Sequence, residues 1–130
     1  MAFSQEISGE VTHGNRIGRQ LGFPTANIAI EDNCEVAGGV YAATAETGGA
    51  TYRAMVNIGT RPTVGGGQRL AEAHLLDFNG DLYGHRITLH LMARIRPECK
   101  FPGLDELRMQ LLADRENILN YFNNISDIHK

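Results

Sequence analysis

A glycine-rich segment near the N-terminus carries residues that could bind a nucleotide phosphate. Residues 14–27 read GNRIGRQLGFPTAN, with glycines at Gly14, Gly18 and Gly22 and an arginine at Arg19. Backbone N–H groups in such a loop can form a concave anion site, and a guanidinium group suits phosphate oxygens. The loop is not a Walker A motif, because G-x-x-x-x-G-K-[ST] occurs nowhere in the chain. The glycine spacing alone is also compatible with an ordinary loop.

Thr25 and Asn27, at the end of this segment, could bind a hard metal ion. If the chain is extended here, the two side chains point to the same face because they lie two residues apart. Their neutral oxygens suit Mg²⁺, which takes few protein ligands and leaves the rest of its coordination shell to water and substrate phosphates. The segment therefore predicts a site for a nucleotide phosphate and a metal ion.

The segment resembles the signature of the riboflavin kinases, and five further blocks resemble the same family in the same order. These blocks are Gly39 to Tyr41, VNIGTRPT at 56–63, EAHLLDF at 72–78, DLYG at 81–84 and RPE at 96–98. The resemblance spans residues 7–116. It implies transfer of the γ-phosphate of ATP to the 5′-hydroxyl of riboflavin, which gives FMN and ADP and depends on Mg²⁺.

The resemblance also implies roles for individual residues. Glu72 matches the family's catalytic carboxylate, which orients the terminal ribityl hydroxyl and takes its proton. The residues implied on the ATP side are Gly14, Gly18, Arg19, Gly22, Pro24, Thr25, Asn27 and Tyr83, with Thr25 and Asn27 as the metal ligands. Those implied on the flavin side are Arg96, Glu98, Phe101 and Leu104. Position alone would favour a solvated strand carboxylate for Glu72. For Arg96 and Phe101, a strand-end role and a core position remain open as equal alternatives.

Two features qualify these implications. Pro102-Gly103 stands where the family usually has an acidic residue and a serine, which affects the flavin side more than the ATP side. Asn57 and Thr60 lie in one of the matching blocks and receive no role.

A first alternative function is a non-catalytic flavin- or nucleotide-binding barrel that retains the motif. A second, an oligonucleotide-binding barrel, is disfavoured by an aromatic content of only 7% and a formal charge of −3.

The length of the chain predicts a single domain that spans residues 1–130. Its formal net charge of −3 gives no reason to expect binding to nucleic acid or to an anionic membrane. No apolar stretch approaches the roughly 20 residues of a membrane helix, and no signal peptide is recognisable, so a cytoplasmic address is expected. Cys34 and Cys99 are expected to be reduced thiols, and the histidines form no zinc pattern.

In many bacteria the kinase module is fused to an FAD synthetase (adenylyltransferase) module. The chain lacks one, so its expected product is FMN, whether it is a monofunctional kinase or an excised domain.

The secondary structure that positions these candidate site residues is predicted to be a series of short strands followed by a helix. Apolar and alternating patterns predict strands at 7–13, 25–30, 39–45, 51–58, 70–78 and 86–95, the last with five alternate apolar residues from Ile87 to Ile95 on one face. Residues 59–69, with a proline and three glycines, are predicted to be irregular. From Leu104, apolar spacing predicts one amphipathic helix, or two with a break. The short connections indicate antiparallel pairing but leave sandwich and barrel open. The resemblance implies a six-stranded, antiparallel Greek-key-like β-barrel with a C-terminal α-helix.

Overall fold

The computed structural model describes residues 5–12, 21–30, 36–63 and 66–128, and the side chains of these except 60–68 and 126–128. Within these ranges, six strands precede one helix. They are β1 (Gln5–Glu10), β2 (Ala26–Ala29), β3 (Gly39–Thr47), β4 (Ala50–Thr63), β5 (Gly66–Leu75), β6 (Arg86–Arg96) and α1 (Leu104–Ile128). Among the described residues, no helix combines the length and the apolar composition that a membrane crossing needs.

All strand pairs are antiparallel, in the order β1-β6-β3-β4-β5-β2. Strand β6 returns beside β3, the first strand of the β3-β4-β5 meander, which is a Greek-key arrangement. The two edge strands approach each other where Thr12 bridges Asn27, and a Cβ atom on Gly9 of β1 would collide with Ile28 of β2. The sheet is therefore a nearly closed barrel, which confirms the predicted fold.

Two apolar clusters hold the elements together. The first fills the barrel with residues from every strand, among them Ile7, Ile28, Ala43, Val56, Ala73 and Leu89. The second lies outside the barrel, between its outer face and α1, and consists of Phe23, Val40, Ala42, Met55, Ile118 and Phe122. Apolar residues therefore occur on both faces of β3 and β4, as expected for strands buried on both sides.

The alternation predicted for β6 holds only as far as Leu91. Leu91 pairs with Ala43 but Ala93 pairs with Ala42, so one extra residue of β6 is inserted between them. Because side chains alternate with a period of two, this irregularity turns Ala93 to the outer face, where it joins the second cluster. The prediction that residues 93 and 95 share the face of Ile87 was wrong for this reason.

The region 59–69 is more regular than predicted. Strand β4 continues to Thr63, β5 begins at Gly66, and the pairing runs from Gly59–Leu70 to Thr63–Gly66. Pairing with a neighbouring strand has overridden the local preference of proline and glycine against strand structure. The helix is a single unbroken element of 25 residues, which settles the alternative of two helices.

Candidate active site

Glu72 lies in the middle of a row of three polar residues on adjacent strands. Strand β5 runs between β2 and β4, and Glu72 is the register partner of Asn27 on one side and of Asn57 on the other. Directly opposite residues of an antiparallel pair project to the same face with Cβ atoms about 4.5–5.5 Å apart. The neighbours Ala71 and Ala73 belong to the barrel core, so the row faces outward. The three side chains are thus brought together outside the barrel.

Two members of this row, Glu72 and Asn57, line a cavity of about 300 Å³, whereas Asn27 lies beside Glu72 and does not line it. The cavity lies between the outer face of the barrel and the first turns of α1. Its lining residues are Phe23, Thr25, Val40, Met55, Asn57, Glu72, His74, Arg96, Glu98, Cys99, Phe101, Leu107 and Leu111. One wall is apolar and aromatic, and polar groups converge at one side. This combination is typical of a binding site for a small molecule.

His74 ties the segment before β2 to the cavity. Its Nδ1 atom lies 2.8 Å from the carbonyl oxygen of Pro24. Because a carbonyl can only accept a hydrogen bond, Nδ1 carries the proton and Nε2 is left as an acceptor in the neutral ring. The ring also meets Phe23 edge to face, with centroids 5.3 Å apart. Burial lowers the pKa of His74, although the bond to Pro24 opposes that shift. His74 therefore holds the chain that precedes Thr25.

Asn27 presents an oxygen that suits a cation. Its side chain is only 4% exposed, and among the described residues its Oδ1 atom has no hydrogen-bond partner. Thr12 donates to Asn27 twice, from its backbone N–H (2.8 Å) and its hydroxyl (3.3 Å), but both bonds go to the main-chain oxygen. A buried unpaired acceptor is costly unless something binds it. Thr25, which lines the cavity, offers a second neutral oxygen. These two residues fit a hard metal ion such as Mg²⁺.

The other end of the cavity is held by an ion pair between β6 and α1. Arg96 donates from Nε and Nη2 to the carboxylate of Asp114, at 2.8–3.0 Å. The Arg96 guanidinium carbon lies 5.6 Å from the ring centroid of Phe101. Phe101 is half-buried and lines the cavity. The structure therefore brings two of the residues implied for the flavin side, Arg96 and Phe101, together at one wall.

Glu98 also lines this end. Its side chain lies over Gly38 and Gly59, and a Cβ atom on Gly38 would collide with the Glu98 carboxylate. The absence of side chains at these two glycines therefore leaves room for Glu98 beside the cavity. The exposed thiol of Cys99 lies next to it.

Several residues implied by the sequence lie elsewhere. Leu104 and Tyr83 are each 52% exposed and do not line the cavity. The turn that carries Tyr83 contacts the strand end beside Asn27, because Gly84 donates to the carbonyl of Val11 at 2.9 Å. Gly22 adopts φ +88° in a turn just before the Phe23–Thr25 segment. Gly14, Gly18, Arg19 and Cys34 lie outside the described residues.

Sequence reasoning missed three residues of the site. Asp114 was detectable, because it interrupts the apolar stripe of α1 at a position where a carboxylate needs a partner. His74 follows Glu72 by two residues on the same strand, so it shares its face. Asn57 was noticed without a role. Its place beside Glu72 depends on which strands pair, and no local pattern specifies that.

The chain matches known proteins over most of its length. Residues 1–122 match the riboflavin kinase (flavokinase) family. The bifunctional riboflavin kinase/FMN adenylyltransferase of Haemophilus influenzae is 40% identical over 118 residues, covering 90% of this chain and 38% of that protein. The protein of the same description from Bacillus subtilis is 41% identical over 123 residues, covering 92% and 39%.

Two solved structures are also similar. One, described as a macrolide-efflux protein from Streptococcus pneumoniae, superposes with a TM-score of 0.81 at 39% identity, covering 88% of this chain and 38% of that one. The riboflavin kinase of Trypanosoma brucei superposes with a TM-score of 0.66 at 23% identity, covering 92% and 80%, which supports the fold. The chain spans less than two fifths of the length of the two bifunctional relatives. On the extent of the family match, the chain belongs to the riboflavin kinase family.

Proposed function

We propose that the chain is an ATP:riboflavin 5′-phosphotransferase, which makes FMN and ADP from riboflavin and ATP. The observation that carries this proposal is the register of β5, in which Glu72 stands between Asn27 and Asn57 beside the cavity. Phosphoryl transfer to an alcohol needs an acceptor for the hydroxyl proton close to groups that hold the phosphates. Glu72 and the Thr25–Asn27 pair supply these two requirements from neighbouring strands.

The apolar wall supports riboflavin as the acceptor. Phe101, Leu107 and Leu111 line the cavity on the side of α1, and the guanidinium carbon of Arg96 lies over the Phe101 ring. Aromatic and apolar walls suit a planar ring system such as isoalloxazine. With the ring against this wall, the ribityl chain would extend toward β5 and its terminal hydroxyl toward Glu72.

In the proposed reaction, Glu72 accepts a hydrogen bond from the 5′-hydroxyl and orients its oxygen toward the γ-phosphorus. A bond forms between that oxygen and phosphorus, the bond from phosphorus to the β–γ bridging oxygen breaks, and the hydroxyl proton passes to the Glu72 carboxylate. Thr25 and Asn27 would hold Mg²⁺, which when bound neutralises charge on the phosphates. Gly22 and the preceding glycines and Arg19 would contact the phosphates, and Tyr83 the nucleotide. These assignments follow the family resemblance.

The bifunctional relatives suggest a context for this activity. The relatives from Haemophilus influenzae and Bacillus subtilis are named as bifunctional riboflavin kinase/FMN adenylyltransferases. We propose that this chain performs the kinase reaction and that its FMN is passed to an adenylyltransferase module, either fused to it or separate. The use of ATP fits the cytoplasmic address expected from the sequence.

A direct assay tests the proposal. Purified chain is mixed with riboflavin, ATP and Mg²⁺, and the flavins are separated by chromatography; omission of ATP serves as the control. FMN that forms only in the complete mixture supports the proposal. Quenching of riboflavin fluorescence without FMN would instead identify a non-catalytic binding barrel, and neither signal would refute both functions.

A further inference from the structure

Asp114 is a charged residue in an apolar position. It is 0% exposed, although it lies on the stripe of α1 that includes Leu107, Leu111, Ile118 and Phe122. A buried carboxylate is strongly unfavourable unless it is paired and hydrogen-bonded. Leucine or isoleucine at this position would meet the packing requirement without that cost. Packing therefore does not explain why a carboxylate occupies this position.

The partners of Asp114 explain how its charge is tolerated. Arg96 donates to Oδ1 from Nε at 2.9 Å and to Oδ2 from Nη2 at 2.8 Å, which is a bidentate geometry. Gln110, one turn earlier on α1, donates from Nε2 to Oδ1 at 2.9 Å. The carboxylate thus fixes both the position and the plane of the guanidinium group, and its charge is cancelled in place.

The fixed guanidinium in turn holds the cavity wall. Its Nη1 atom donates to the carbonyl oxygen of Pro97 at 3.1 Å, which anchors the start of the segment leading to Phe101. Its Cζ atom lies over the Phe101 ring, 5.6 Å from the ring centroid. Arg96 and Phe101 both line the cavity, whereas Asp114 does not. Any effect of Asp114 on a ligand must therefore be transmitted through Arg96.

We propose that Asp114 is a positioning residue for flavin binding, acting through Arg96 and Phe101. This inference depends on the proposed function, because it concerns the same cavity. Since the Asp114 carboxylate offsets the charge of Arg96, this wall selects an uncharged planar ring rather than an anion. Arg96 contributes a guanidinium group held in a fixed position, and its charge is neutralised by Asp114 of α1.

The first test replaces Asp114 by asparagine, which keeps the shape and removes the charge. In Asp114→Asn we expect the Kd for riboflavin, measured by fluorescence quenching, to rise by about tenfold or more. The KM for ATP at saturating riboflavin should stay within about twofold of wild type, since Asp114 acts at the flavin end. Glu116→Gln, an exposed carboxylate on the same helix, is the matched control and should change neither value. Unchanged riboflavin affinity, or an equal loss for both substrates, would overturn the proposal.

A second variant covers the case in which Asp114→Asn does not fold. The double variant Arg96→Met/Asp114→Leu replaces the ion pair by apolar side chains, an exchange that proteins often tolerate without loss of stability. It should fold and still bind riboflavin about tenfold or more weakly than wild type. Full riboflavin affinity in this variant would assign the pair a purely structural role and overturn the proposal.

The wild-type results separate this proposal from the proposed function. Wild-type protein that binds riboflavin but forms no FMN would refute the kinase assignment alone, and the affinity ratios would still test Asp114. Wild-type protein that forms FMN with affinities matched by Asp114→Asn would refute the positioning role alone. A wild type that binds no riboflavin would overturn both.

Discussion

Asn27 and Glu72 lie directly opposite each other on β2 and β5. This pairing places a buried amide oxygen, which lacks a partner among the described residues, beside the candidate base. On adjacent antiparallel strands the two side chains stand on one face at a spacing set by the sheet itself. Groups that sit on strands are held more precisely than groups on loops. A metal-bound phosphate and a reacting hydroxyl would therefore meet at a distance fixed by backbone hydrogen bonds.

Substitution of Glu72 by glutamine should slow the reaction without removing the flavin. Glutamine keeps the hydrogen-bonding shape but cannot accept the hydroxyl proton as a carboxylate does. The kcat for FMN formation should fall by about 10²–10⁴-fold, with the riboflavin Kd changed by less than about threefold. Asp77→Asn is the control, because Asp77 forms an exposed ion pair with Arg53 outside the cavity and should keep normal turnover. Near-normal kcat in Glu72→Gln would refute its role as the base.

Substitution of Asn27 by leucine should separate stability from function. Leucine removes a buried acceptor whose lack of a partner costs about 1–3 kcal/mol, so the thermal midpoint without ligand should equal or exceed that of wild type. The Mg²⁺ concentration needed for half-maximal FMN formation should rise by about tenfold or more, because a metal ligand is lost. Thermal unfolding and a Mg²⁺ titration at fixed ATP check the two effects. A large drop in the midpoint would show that Asn27 is structural.

The strands and their antiparallel pairing could be predicted because local patterns carry them. Alternation along β6 and the apolar spacing of α1 are short-range signals, and both elements occur where expected. The irregularity that turns Ala93 outward carries no glycine or proline signal. It depends on how β6 fits both β3 and α1, which is a property of the assembled barrel. The prediction for residues beyond Leu91 failed for that reason.

The residues of the candidate site also differ in how well the sequence predicts them. Thr25 and Asn27 were proposed from their spacing and chemistry, and Glu72, Arg96 and Phe101 through the family resemblance. The structure places all of these at one cavity except Asn27, which lies opposite Glu72. The residues that position them were missed, because His74 acts on Pro24 and Asp114 on Arg96 across long stretches of chain. The spacing of α1 makes Asp114 stand out as a carboxylate in an apolar stripe, but no residue spacing shows which distant residue such a side chain pairs with. Positioning residues are therefore harder to predict than the groups they hold.

Gly39 is expected to be intolerant of a side chain. It has φ +141° at the start of β3, and a Cβ atom would collide with the backbone carbonyl of Arg96. Gly39→Ala should lower the free energy of unfolding by more than about 2 kcal/mol, because backbone strain and a collision combine. Gly48→Ala is the control, since Gly48 has φ +58° and open space around its Cβ position; it should cost about 1 kcal/mol. Urea unfolding measures both, and equal losses would contradict the collision argument.

His74 should make the fold sensitive to mild acid. Burial lowers the pKa of His74 in the folded chain below the value of about 6.5 for an unfolded histidine. The folded state therefore favours the neutral ring, and the unfolded chain takes up a proton first as the pH falls. The contribution to stability is complete above about pH 6.5 and declines as the pH drops from there through the folded pKa.

Two variants separate the contribution of His74 to the pH dependence of stability from that of the other histidines. His74→Gln keeps an N–H donor for the Pro24 carbonyl but does not titrate, so its stability should fall less steeply than that of wild type between pH 7 and pH 5. His74→Leu removes the donor, and the unpaired Pro24 carbonyl should cost about 1–3 kcal/mol at neutral pH. Because Pro24 precedes Thr25, the leucine variant should also need more Mg²⁺ for turnover than the glutamine variant. Urea unfolding between pH 7 and pH 5 measures how steeply the stability of wild type and of His74→Gln falls. Parallel slopes for wild type and His74→Gln would show that acid acts through other groups.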